Sequence, residues 1–157
     1  MKKIKVIIVG AGMRGMTYAS YAQSHPEEME VVAVAEPVDD KRNHMQSLYH
    51  LPDSVCFRDW RDLLALPKMA DAAVIATMDD MHFEPAMEAI KKKYHLLLEK
   101  PIAPTAEECV AISKAAEENQ VHVVVCHVLR YSPFYKKLKE ILASGVLGRV
   151  VSIVHTE

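Results

Sequence analysis

Residues 4–15 read Ile-Lys-Val-Ile-Ile-Val-Gly-Ala-Gly-Met-Arg-Gly, an apolar run that ends directly in G-x-G-x-x-G. Ile4, Val6, Ile7, Ile8 and Val9 offer apolar side chains to both faces, as a strand in the middle of a parallel sheet must. Gly10 allows a tight turn, Gly12 lets the main chain come close to a pyrophosphate, and Gly15 lets the next helix pack near the strand. A helix opening there would turn its free N–H groups and positive dipole end toward the anion. The glycine pattern by itself is weak, so the residues around it decide its meaning.

Those residues agree with it. Residues 31–35, Val-Val-Ala-Val-Ala, form a second buried strand that ends in Glu36. Glu36 lies 21 positions beyond Gly15, close to the roughly 20 at which a carboxylate meets the adenine ribose. Between them, residues 13–24 read as one helix with Met16, Tyr18, Ala19 and Ala22 toward the sheet, stopped before Pro26. The bland alternative is a Glu36 that only caps a loop; strand, glycine turn, helix, strand and acid in sequence favour a nucleotide.

The same alternation continues to residue 126. The pattern predicts a helix over 40–50, a short strand over 55–57, a helix over 59–64, a strand over 72–76 and a helix over 83–93. It then predicts a strand over 96–98, a helix opening at the capping box Thr105-Ala-Glu-Glu108 and running to about Asn119, and a strand over 121–126. The fold class is α/β, a Rossmann doubly wound parallel sheet with ligands at the carboxyl ends of its strands. The last thirty residues differ: an amphipathic helix over 133–144, closed by Gly145 and Gly148, then an apolar strand over 149–155. That strand has no visible partner, so the expected division is a nucleotide-binding domain over 1–127 and the opening helix and strand of a second domain over 128–157. Its open edge would recruit another copy of the chain, and a homo-oligomer is expected.

Composition narrows the classes. The chain has 157 residues, half of them hydrophobic and a quarter charged, with a formal net charge of −2, enough for one sizeable core. Near-neutral charge leaves no footprint for nucleic acid or an anionic membrane, and no apolar run approaches the roughly 18 residues of a span. Lys2 and Lys3 precede a run too short and too β-branched for a signal peptide. Cys56, Cys109 and Cys126 are odd in number and lack metal-binding spacing, so neither zinc nor a disulfide framework is expected and a reducing cytoplasm fits best.

Two further loops project to the edge that carries the glycine turn. Thr77-Met78-Asp79-Asp80-Met81-His82 follows the fourth strand and Glu99-Lys100-Pro101 the fifth. Lys100 sits at a strand's carboxyl end between a carboxylate and a proline. Such a cation could hydrogen-bond a substrate hydroxyl and stabilise the alkoxide that develops as hydride leaves. Against this stands an ordinary surface Glu–Lys pair worth about 0–1 kcal/mol.

Gly10-Ala-Gly-Met-Arg-Gly15, Glu36, His82, Glu99-Lys100-Pro101 and His127-Val-Leu-Arg130-Tyr131 ahead of Ser144-Gly145-x-x-Gly148 together resemble the Gfo/Idh/MocA oxidoreductases. The resemblance covers essentially the whole chain, and Glu-Lys-Pro is its specific part. It implies an NAD(P)-binding domain followed by an α/β substrate domain with a large open sheet. On that resemblance Gly10, Gly12, Met13 and Arg14 would line the pyrophosphate, and Glu36 would take the adenosine ribose. Thr77 and His82 would lie along the nicotinamide half. Glu99 and Lys100 would approach the nicotinamide ribose, with Lys100 assisting at the substrate hydroxyl; the Lys100–Pro101 bond is often cis in this family. His127, Arg130 and Tyr131 would border nicotinamide or substrate. The family's usual Thr-Pro-Asn is here Thr77-Met78-Asp79.

Cofactor choice leans to NAD over NADP, because Glu36 would repel a 2′-phosphate. Lys41 and Arg42 could accept one if their loop folded back, but read better as a solvated helix face. Lys91-Lys92-Lys93 reads as cations at the end of their own helix. The expected activity is hydride transfer between nicotinamide and a sugar, cyclitol or related hydroxy compound. The family's usual acid/base lies on its second domain, so this chain alone is expected to bind dinucleotide with little turnover. The competing readings are an NAD-retaining glycosidase of the same family, a non-catalytic dinucleotide-binding regulatory module, and an S-adenosylmethionine methyltransferase. Glu99-Lys100-Pro101 weighs against the last.

Overall fold

A computed structural model describes residues 2–156. Two compact units make up the chain, Met1–Cys126 and His127–Glu157.

In the first unit β1 (Ile4–Val9) leads into α1 (Met13–Ala19) and α2 (Tyr21–Ser24), then β2 (Met29–Ala35) and α3 (Asp39–Tyr49). After β3 (Cys56–Phe57) come α4 (Trp60–Ala65), β4 (Ala72–Ile75), α5 (Phe83–Lys91), β5 (His95–Leu98), α6 (Ala106–Asn119) and β6 (Val123–Val125). The six strands form one parallel sheet in the order β3-β2-β1-β4-β5-β6. The chain winds outward from β1 to β3, crosses back, and continues from β4, so the order reverses between β1 and β4. Ligands bind above such a reversal, at the carboxyl ends of the strands.

Side-chain alternation in β1 explains why both faces are covered. Ile7 and Val9 pack with Leu63 of α4, Ile90 of α5 and Ile112 of α6 on one side. Val6 and Ile8 pack with Ala19 of α1, Ala22 of α2 and Met45 of α3 on the other. Each such aliphatic side chain fully removed from water contributes about 1.5–3 kcal/mol. Ile4, at the strand's amino end, is half exposed, so the two-faced burial expected of it begins only at Val6.

Several expected boundaries move for local reasons. The single helix expected over 13–24 breaks at Ser20, whose Oγ donates to the Thr17 carbonyl at 2.8 Å and competes with the main-chain ladder. Asp59 caps α4 by accepting from the Arg61 N–H at 2.8 Å. Thr105 caps α6 by accepting from the Glu108 N–H at 3.2 Å, while its hydroxyl donates to the Glu108 carboxylate. The lysine run serves other helices as well as its own. Lys91 pairs with Glu88, but Lys92 Nζ donates to the Leu66 carbonyl beyond α4 at 2.7 Å and Lys93 Nζ to that of Asn119, ending α6, at 3.2 Å.

The second unit holds a 3-10 turn, Val128–Tyr131, and α7 (Pro133–Ala143), with Pro133 in the first turn where its missing N–H costs nothing. Gly145 and Gly148 follow with φ of +73° and +63°. The strand expected over 149–155 does not form. A strand exists by pairing its N–H and C=O groups with a neighbour, and among the described residues no main-chain hydrogen bond joins this run to another. Apolar alternation supplied the composition of a strand without the ladder. Among the described residues no helix is long and apolar enough to cross a membrane.

Candidate functional site

The turn after β1 is held by contacts that only glycine permits. Gly10 has φ +93°, and a Cβ there would lie 2.4 Å from the Ala76 carbonyl oxygen at the end of β4. A Cβ on Gly15 would lie 1.9 Å from the Gly10 carbonyl oxygen, so α1 packs directly on the turn. Gly12 is different: a Cβ there would meet nothing within 4 Å. Its main chain faces open space that the fold leaves unfilled.

That space is part of a cavity of about 330 Å³ above the β1/β4 reversal, lined by Gly10, Gly12, Glu36, Val38, Lys41, Arg58, Thr77, Met78 and others. Glu36 forms one wall and is only 5% exposed. Its Oε2 accepts the Ala11 N–H at 2.7 Å and its Oε1 the Val38 N–H at 3.0 Å. The acid therefore clamps the glycine turn to the end of β2, beyond the role read from spacing. A carboxylate has about four acceptor positions, so two amides leave capacity for hydroxyl donors from the cavity.

Arg42 corrects the solvated-face reading. It is buried, donates from Nη1 to the Glu36 carbonyl at 2.7 Å and from Nη2 to Asp39, and so fixes the Glu36 loop from below. Lys41 remains exposed at the cavity wall.

On the other side of the reversal, Glu99 is buried at the end of β5. Its Oε2 accepts the Lys100 N–H at 2.9 Å; its Oε1 accepts the Tyr18 hydroxyl and faces Arg14 Nε at 3.7 Å. Burial, reinforced by Cys126 and Glu99 beside it, raises the Tyr18 hydroxyl above the usual phenol range, and burial raises the Cys126 thiol as well. Glu99 is thus an anchor whose oxygens are engaged, and Arg14 is turned toward it. Lys100 projects from this anchor with an exposed side chain, and the Lys100–Pro101 bond is cis.

His82 has no exposed surface, which corrects its expected place along a ligand. Its Nδ1 lies 2.6 Å from the Pro101 carbonyl and its Nε2 3.3 Å from that of Thr77. The ring ties the loop after β4 to the loop after β5 and is enclosed between them. Thr77 stays on the cavity wall, its hydroxyl donating to the Met81 carbonyl at 3.1 Å. Met13 is 84% exposed, beside an open hollow that it lines with Gly12, Lys41 and His44.

His127, Arg130 and Tyr131 belong to the second unit. His127 caps the 3-10 turn there, its carbonyl accepting the Arg130 N–H at 3.0 Å, and all three side chains are exposed. The structure adds Tyr18, Cys126, Asp39 and Arg58 to the residues assigned to the site from the sequence. Tyr18 was legible in part: four positions after Arg14, it shares that residue's helix face.

Residues 4–127 match the family model for Gfo/Idh/MocA oxidoreductases, NAD-binding Rossmann fold. Among the relatives, the 2,7-anhydro-N-acetylneuraminate hydratase of Escherichia coli (strain K12) is 29% identical over 96% of this chain and 38% of its own length. The inositol 2-dehydrogenase of Salmonella typhimurium is 27% identical over 96% of this chain and 44% of its own. The crystal structure of the WlbA dehydrogenase from Bordetella pertussis, in complex with NADH and UDP-GlcNAcA, superposes with a TM-score of 0.82 at 25% identity, covering 94% of this chain and 42% of that one. The chain thus spans about two fifths of the length of the proteins it matches.

Proposed function

This chain belongs to the Gfo/Idh/MocA oxidoreductase family, and from that premise we propose that it holds NAD above the β1/β4 reversal for hydride transfer to or from a hydroxy compound. The observation that carries the reading is the open space beside Gly12, walled by a carboxylate that keeps acceptor positions free. Cofactor and residues fit. Gly12 leaves room for a diphosphate against main chain, and Glu36 stands where ribose hydroxyls would donate. NADH and NAD in related complexes support a nicotinamide dinucleotide, and the Glu36 charge favours the form without a 2′-phosphate.

When bound, the nicotinamide supplies the hydride acceptor or donor. The chain's own part is positional and electrostatic. Glu99, fixed by Tyr18 and Arg14, holds the main chain at Lys100 through the Lys100 N–H. His82 holds the adjoining Pro101 carbonyl. Lys100 follows this anchor with an exposed side chain, whose ammonium would hydrogen-bond a substrate oxygen and stabilise negative charge on it. Sugars and cyclitols are the proposed substrate class, a homo-oligomer the proposed assembly and the cytoplasm the proposed location.

Titration calorimetry with NAD and NADP tests the reading directly. Saturable one-to-one uptake of NAD, weakened at least tenfold for NADP, is the expected result. Folded protein that takes up neither nucleotide would overturn it.

A further inference from the structure

The cavity beside Glu36 is lined by three cations, Lys41, Arg58 and Arg61. Three cations around one space are what a phosphate monoester seeks, guanidinium groups above all. Here both guanidinium groups are already engaged. Arg58 Nη2 donates to Asp39 Oδ2 at 2.8 Å, and Arg61 Nη2 to Glu84 Oε2 at 2.6 Å.

Asp39 is the centre of this arrangement. It stands in the first turn of α3 and accepts two guanidiniums at once, Arg58 on Oδ2 and Arg42 on Oδ1. Arg42 in turn donates to the Glu36 carbonyl, so one chain of contacts runs from Arg58 through Asp39 and Arg42 to the residue that walls the cavity. Those guanidiniums hold the Asp39 carboxyl below the usual carboxylate range, the Arg42 hydrogen bond most, so the group carries its charge throughout the neutral range.

We propose that Asp39 is a specificity-determining residue: by engaging Arg58 it withholds that guanidinium from a 2′-phosphate and makes the cavity select the unphosphorylated ribose. The inference deepens the proposed function and rests on the cavity taking the adenosine half of the dinucleotide. Glu36 repels a 2′-phosphate directly; Asp39 engages the guanidinium that would otherwise help Lys41 offset the repulsion. Discrimination is then shared by two carboxylates, one on each side of Pro37 and Val38.

The test compares affinities for NAD and NADP by titration calorimetry in the wild-type chain, Asp39→Asn, and Asp39→Asn combined with Arg58→Gln. Asp39→Asn is expected to raise NADP affinity about tenfold while NAD affinity stays within about twofold, and the second change to return NADP affinity to the wild-type level. Asp39→Ser, which also suits a helix first turn, is expected to give the same gain and serves if the asparagine variant folds poorly. A merely structural Asp39 would move both nucleotides alike or lower only the melting temperature, and that result overturns the inference. So does a gain in NADP affinity that survives loss of Arg58. Folded wild-type protein that binds neither nucleotide would instead remove the cavity assignment itself, and this inference with it.

Discussion

The glycine turn at residues 10–15 and the stretch 145–156 use the same materials, glycines beside β-branched apolar residues, and reach opposite states. In the turn, Gly10 and Gly15 are pressed against main chain and Val6–Val9 are buried. In the later stretch, Gly145 and Gly148 face open space, and Val151 and Val154 are 87% and 90% exposed. The difference is neighbours. β1 lies between β2 and β4, which supply its hydrogen bonds, and helices cover both its faces; the later run has no such partner among the described residues. Composition makes a strand possible, and pairing makes it exist.

That comparison can be broken first at Gly15. Gly15→Ala places a Cβ 1.9 Å from a main-chain oxygen, which cannot move aside as a flexible side chain would. A loss of more than about 3 kcal/mol, or failure to fold, is expected in urea titration, beyond ordinary overpacking. A variant as stable as wild type would show that the packing of α1 on the turn is looser than described.

Gly12→Val separates ligand space from packing space. Nothing lies within 4 Å of its Cβ position, so the melting temperature should stay within a few degrees. NAD affinity should fall about a hundredfold or more, since the side chain enters the space reserved for diphosphate. Unchanged affinity would move the cofactor elsewhere.

Matched truncations sharpen the contrast between the two apolar runs. Val34→Ala, at a fully buried position in β2, should cost about 2 kcal/mol. Val154→Ala should stay within about 0.5 kcal/mol. Equal losses by thermal or chemical denaturation would mean that residue 154 has a covering surface after all.

The smallest expected effect depends on pH. Asp71 accepts the Lys5 N–H at 2.9 Å and returns its own N–H to the Lys5 carbonyl at 2.9 Å, joining the amino ends of β1 and β4. The Lys5 amide, helped by Lys2, holds this carboxyl below the usual carboxylate range. A depressed folded-state value contributes stability above the unfolded value of about 4, and that contribution is lost as pH falls through the folded one. Asp71→Asn should therefore lower stability slightly near neutral pH and flatten the acid limb as pH falls from about 5 through the folded value, below which the two proteins should differ little. Superimposable acid limbs would show that the bond contributes nothing.

The elements of the sheet were largely legible because each rests on local rules. β1 and β2 show themselves as apolar runs, α6 by its Thr105 cap, and the glycine turn by spacing. The site was legible only in part. Gly12 and Thr77 line the cavity, but His82 is enclosed, Glu99 is spent on Tyr18, Arg14 and the Lys100 amide, and Arg42 is buried beneath Glu36. Spacing along a chain says which edge of the sheet a residue reaches. It does not say which neighbour will claim its hydrogen bonds.

What the sequence determined by itself is the alternation of strands and helices, the doubly wound parallel class, and the place of a glycine turn and an acid beside it. Hydrophobic period, caps and turn residues act over a few positions and can be read there. Only the tertiary structure decided that Glu36 clamps Ala11, that His82 ties two loops, that Asp39 holds Arg58, and that residues 149–155 stay unpaired. Each of these is a contest between partners distant in sequence, or the absence of one, and its outcome depends on distances that exist only once the chain has folded.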